Sequence, residues 1–80
     1  MARMRVRLTF PPELVQQPII YRLVKDFDIV PNIRRADVRA DHGWMVLELE
    51  AAEDGLERGV AWLKAQGVTV DPIERDVVLP

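Results

Sequence analysis

The 80-residue chain contains no cysteine, which excludes a disulfide, a thiolate metal site, an iron–sulfur cluster and a cysteine nucleophile. Serine is missing too, and the two threonines, Thr9 and Thr69, have no base near them in sequence. Nucleophilic catalysis therefore has no evident starting point. The single histidine, His42, sits between Asp41 and Gly43, a setting that a polar turn residue explains better than a general base or ligand does. Apolar runs are short, as in Pro18-Ile19-Ile20-Tyr21 and Val77-Val78-Leu79, whereas a bilayer-spanning helix needs about 20 such residues. No hydrophobic region follows the basic start Met1-Ala2-Arg3-Met4-Arg5 that would make it a signal peptide. Neither sign of charge dominates, and a net charge of −2 offers little attraction to a polyanion. A cytoplasmic protein is expected, with no nucleic-acid partner and no direct membrane insertion.

Two further absences concern sites. The four glycines stand isolated at positions 43, 55, 59 and 67, so no glycine-rich phosphate loop is present. The carboxylates Glu48, Glu50, Glu53, Asp54 and Glu57 resemble a hard-metal ligand set. They are better explained as the solvent side of a strand followed by the first turn of a helix, where negative charge offsets the helix dipole. Neither a metal nor a cofactor is expected, and neither is an enzymatic activity.

The chain does carry a 49% apolar and 30% charged composition, that of an ordinary small globular domain. At this length one core supplies only about 3–5 kcal/mol of net stability. With cysteine chemistry excluded, oligomerisation is the remaining source of support.

Hydrophobic periodicity gives the elements. Met4, Val6, Leu8 and Phe10 alternate with Arg3, Arg5, Arg7 and Thr9, the pattern of a half-buried strand ended by Pro11-Pro12. After a short connection, Gln17-Pro18 opens a helix in which Ile19, Ile20, Leu23, Val24 and Phe27 recur at helical spacing. Period two returns after Pro31, with Ala36, Val38 and Ala40 opposed to Arg35, Asp37 and Arg39. Ile33 breaks the phase, which predicts a bulge or twist.

The turn Asp41-His42-Gly43 leads into a strand with Met45, Leu47 and Leu49 inward and Trp44, Val46, Glu48 and Glu50 outward. A helix from Glu53 to Gln66 follows, capped by Gly67, and then a short strand at Val68-Thr69-Val70. The order β-α-β-β-α-β is the split βαβ, ferredoxin-like arrangement. It is an α+β fold with a four-stranded antiparallel sheet in the order 4-1-3-2 and two helices on one face. Residues 1–73 form the domain, and 74–80 form a tail whose Val77-Val78-Leu79 is expected to pair with a sheet edge or a partner subunit.

The segment from Pro31 to Val38 is the least ordinary, because an amide and two guanidinium groups, Asn32, Arg34 and Arg35, stand where a strand begins. Such groups fix a turn, hold an anionic or amino-acid ligand, or keep an edge solvated. Residue chemistry alone favours the structural roles. Trp44 and Val46 lie with them on the face that no helix covers. There they form either a contact patch for a second subunit or ligand, or an aromatic crossed by arginine stems.

At these residues the chain resembles the NIL domain, a ferredoxin-like, ACT-related module. The resemblance runs through Arg7-Leu8-Thr9-Phe10-Pro11, Gln17-Pro18-Ile19-Ile20, Asn32-Ile33, Gly43, Ala61-Trp62-Leu63 and Gln66-Gly67-Val68. It implies a non-enzymatic regulatory module, a homodimer that binds methionine or a homocysteine-type amino acid near its interface. Asn32 and Ile33 match the first two motif positions and so become ligand-site candidates, and Arg34 replaces the motif leucine and is followed by Arg35. Arg34 or Arg35 would pair with the ligand carboxylate, and Trp44 and Val46 would lie at the interface. The resemblance implies a transporter or a sulfur-metabolism enzyme as partner. The rival expectation is a protein-interaction subunit of homocysteine-forming enzymes without a ligand of its own.

Overall fold

The computed structural model describes residues 1–73. The expectation for the tail at 74–80 lies outside the described residues. The first alternating segment is strand β1 (Ala2–Phe10), with Val6, Leu8 and Phe10 buried. The connection after it holds one helical turn, α1 (Pro12–Val15), which local periodicity does not signal. A proline in its first turn sacrifices no hydrogen bond there, and Leu14 and Val15 pack against the core.

Helix α2 (Ile19–Phe27) buries Ile19 and Leu23. It ends at Asp28, which adopts a left-handed φ of 55° while its N–H donates to the Val24 carbonyl at 3.0 Å. Strands β2 (Val30–Val38) and β3 (Gly43–Ala51) form a hairpin, closed by Arg39 N–H donating to the His42 carbonyl at 2.8 Å. Helix α3 (Glu53–Gln66) ends, as its sequence predicts, on left-handed Gly67, and β4 (Thr69–Pro72) completes the sheet.

The strand order is β2-β3-β1-β4 with every pairing antiparallel, the expected order counted from the other edge. At the centre, β1 and β3 pair without interruption from Ala2 opposite Ala51 to Phe10 opposite Gly43. Their inward residues Val6, Leu8, Leu47 and Leu49 are fully buried with Leu23, Ile29 and Leu63.

Gly59 lets the two long helices close on the core. A β-carbon there would stand 2.5 Å from Ile29 Cδ1 and 3.2 Å from Leu23 Cδ1, and both of those side chains are buried. The helix layer stops short of β2. Ile33 and Val38 share the helix side of the sheet with Leu47 and Gly43 but remain 52% and 53% exposed. The apolar face read from Ala36, Val38 and Ala40 is therefore not a core face. Val38 is uncovered, Ala36 is exposed, and Ala40 lies beyond the end of the strand.

Substituting Gly59→Ala is expected to lower stability by about 1–2 kcal/mol in urea unfolding, because overpacking outweighs the gain in helix propensity. A stabilised variant would mean that the helices have room to spare at this contact.

Candidate functional site

Antiparallel register sorts the site. Upstream of the bulge, Val30, Asn32 and Ile33 stand opposite Glu50, Glu48 and Leu47; downstream, Arg35 and Asp37 stand opposite Val46 and Trp44. One residue of β2, Arg34, is in excess at this point, which is the bulge the broken phase predicted. Because side chains alternate strictly along a strand, that extra residue resets the phase. Asn32 and Arg35, three apart in sequence, become successive groups on the open face, beside Glu48 and Val46. Ile33 points to the opposite face and joins no cluster with them.

The same face continues onto β1. Arg7 is the β1 partner of Val46, Arg5 that of Glu48, and Arg3 that of Glu50. Arg3 Nε lies 3.5 Å from Glu50. Glu48 serves two guanidinium groups, Arg34 at 3.5 Å and Arg5 at 3.9 Å. The Nε–H of Arg5 is shielded from water and has no hydrogen-bond acceptor among the described residues.

Trp44 lies under two cations, with the Arg7 guanidinium 4.6 Å and that of Arg35 5.7 Å from its ring centroid. Contacts of this kind are electrostatic and contribute roughly 0.5–1 kcal/mol when exposed. Sequence phase put both Arg7 and Arg35 on this face but missed the contact of Arg7 with Trp44, because the β1–β3 register joins strands far apart in the chain. Arg39 pairs with Asp37, which stands opposite Trp44, at 3.2 Å.

The Asn32 side chain is exposed and makes no hydrogen bond to the chain among the described residues. The turn-fixing role that residue chemistry favours for it is not what it performs here. Arg34 is engaged by Glu48, whereas Arg35 has no carboxylate within ion-pair distance among the described residues.

A hollow of about 480 Å³ lies elsewhere, lined by Ala2, Met4, Leu56, Val60 and Lys64 among others; Glu53 and Glu57 of the acidic series border it, and none of Asn32, Ile33, Arg34, Arg35, Trp44 or Val46 does. His42 sits at the hairpin tip with its Nδ1 2.9 Å from Asp41 Oδ1. Among the described residues no three histidine, aspartate or glutamate side chains converge on a metal position. No described helix is long and apolar enough to cross a membrane.

The open face, bulge and Asn32-Ile33 pair fall within residues 4–72, which the NIL domain family model matches. The chain belongs to the NIL domain family. It is similar to the methionine import ATP-binding protein MetN of Helicobacter hepaticus, 24% identical over 71 residues that make up 84% of this chain and 20% of that protein. It is also similar to the methionine import ATP-binding protein MetN of Lacticaseibacillus paracasei, 28% identical over 72 residues, 85% of this chain and 21% of that protein. This NIL domain thus spans about a fifth of the curated relatives it matches. A solved structure, the C-terminal domain of an ABC transporter ATP-binding protein from Enterococcus faecalis, superposes with a TM-score of 0.78. It is 21% identical, and the match covers 91% of this chain and 86% of that one. At that identity the likeness establishes the ferredoxin-like fold of this NIL domain.

The hydrogen bond from His42 holds the Asp41 carboxyl below the usual aspartate range, aided by a backbone hydrogen bond and by the nearby imidazole charge. A depressed carboxyl favours the folded state above its unfolded pKa and loses that contribution as pH falls through the folded value. Asp41 is fully exposed, so a local readout suits it better than global stability. Side-chain NMR titration should show Asp41 moving upward in His42→Ala; an unchanged titration would mean that the pair does not form in solution.

Proposed function

We propose that this NIL domain is a non-enzymatic regulatory module that binds a small sulfur-containing amino acid of the methionine or homocysteine type near a homodimer interface. The observation that carries this reading is the placement, side by side on the open face, of an amide, Asn32, and a guanidinium, Arg35, neither of them engaged by a hydrogen-bonding or acidic side chain among the described residues. An α-amino acid presents a carboxylate and an ammonium a few ångströms apart. Arg35 offers the bidentate fork that a carboxylate prefers, and the Asn32 carbonyl accepts from the ammonium.

Val46 and Trp44 lie beside these groups and give the apolar side chain of the ligand a surface. Arg34, held by Glu48, takes a supporting part at the rim. On an open sheet such a ligand would remain half-solvated, and a second copy laid over Trp44 and Val46 completes its enclosure. Family membership supports the regulatory role, and the names of the relatives supply methionine import as the setting. The partner is then a transporter, on whose state the bound amino acid acts.

A second reading, a protein-interaction subunit of sulfur-transfer enzymes without its own ligand, is favoured by one observation. Val30, Ile33 and Val38 are 55%, 52% and 53% exposed along the unpaired edge strand, where a separate polypeptide could add.

Calorimetric titration with methionine, homocysteine and homoserine separates the two readings. Binding by at least one of them is expected, weakened about tenfold or more by Asn32→Ala, the loss appropriate to a hydrogen bond to a charged group. Sedimentation is expected to show a dimer strengthened by the same ligand. Absence of heat with all three would leave the interaction reading in its place.

A further inference from the structure

Arginine is distributed unevenly on the open face relative to its acids. Glu48 is one carboxylate shared by Arg5 and Arg34, and Arg5 still has an N–H without an acceptor among the described residues. One row along, Arg7 and Arg35 flank Val46 from the two neighbouring strands, and both lean over Trp44. Among the described residues neither lies within ion-pair distance of a carboxylate. The acids nearest in register do not relieve them. Asp71 stands opposite Arg7 without closing a pair, and Asp37, opposite Trp44, is taken by Arg39. A face of a protein with net charge −2 therefore concentrates positive charge around one aromatic ring.

A thioether uses only one of these two guanidinium groups, through its α-carboxylate, and leaves the other facing an uncharged side chain. We propose that the site selects an α-amino acid whose side chain itself ends in a carboxylate or sulfonate. Arg35 holds the α-carboxylate, and Arg7 holds the terminal anion across Trp44. This rests on the reading of the open face as an amino-acid site and extends its ligand class beyond the thioether. Pairing the second guanidinium group as well adds affinity that methionine cannot supply.

The test uses the full chain and three probes in calorimetry: L-methionine, L-glutamate and L-homocysteic acid, which carries a sulfonate where methionine carries its methylthio group. Glutamate or homocysteic acid is expected to bind about tenfold tighter than methionine at low salt, with the advantage shrinking as ionic strength rises. Arg7→Gln should remove the advantage of the anionic probes over methionine, and Arg7→Lys, which keeps the charge, should retain part of it. Methionine binding as tightly as both anionic probes would overturn this inference and leave the amino-acid site standing. No heat with any probe would overturn both. Equal losses in Arg7→Gln and Arg7→Lys, or an advantage that survives Arg7→Gln, would remove Arg7 from the role assigned to it.

Discussion

Strict alternation of side chains along a strand is the constraint on which the open face depends. Strand β3 imposes it from the centre of the sheet, because its inward residues are locked into the core through an uninterrupted ladder with β1. Strand β2 must meet that register with nine residues whose own pattern does not fit, and the misfit is absorbed at Arg34. Paired without the bulge, Arg35 would oppose Met45 on the helix side, with the sheet between it and Asn32. With it, Arg35 stands on the open face next to Asn32, and Ala36 and Val38 return to the helix side. A bulge that costs part of one hydrogen-bond ladder thus assembles two polar groups at one place.

Charge and shape then follow from where the helices lie. They cover β1 and β3 on one side, with Gly59 allowing close approach to Ile29 and Leu23. The opposite side keeps rows of arginine, glutamate and one tryptophan, whose cross-strand pairs are partly exposed and individually weak. Their importance is positional. Arg7, Trp44 and Arg35 come from three different strands and meet only because the sheet order places β3 between β1 and β2.

Much of the architecture was legible in the sequence, for identifiable reasons. The alternation from Arg3 to Phe10, the helical stripe of α2 and the Gly67 cap are local signals, and each specifies its own element. The broken phase at Ile33 announced the bulge, since two alternating runs fall out of step across a single position when one residue is inserted between them. What escaped were features that depend on distant chain segments. The turn at Pro12–Val15, the left-handed Asp28, the uncovered helix side of β2 and the approach of Arg7 to Trp44 all depend on how elements pack. The candidate site was legible only in part for the same reason. Its residues on β2 are close in sequence, but which of them share a face was decided by one extra residue, and Arg7 came from a strand more than twenty positions away.

The open-face site therefore stands or falls with the β2–β3 register, and the register can be observed in solution. Cross-strand nuclear Overhauser contacts between backbone protons on the two strands report it directly. The bulged arrangement predicts contacts joining Asn32 with Glu48 and Arg35 with Val46, with Arg34 lacking a partner of its own. Contacts joining Arg34 with Val46 and Arg35 with Met45 would instead show an unbulged strand. Asn32 and Arg35 would then lie on opposite faces, and the site would not exist.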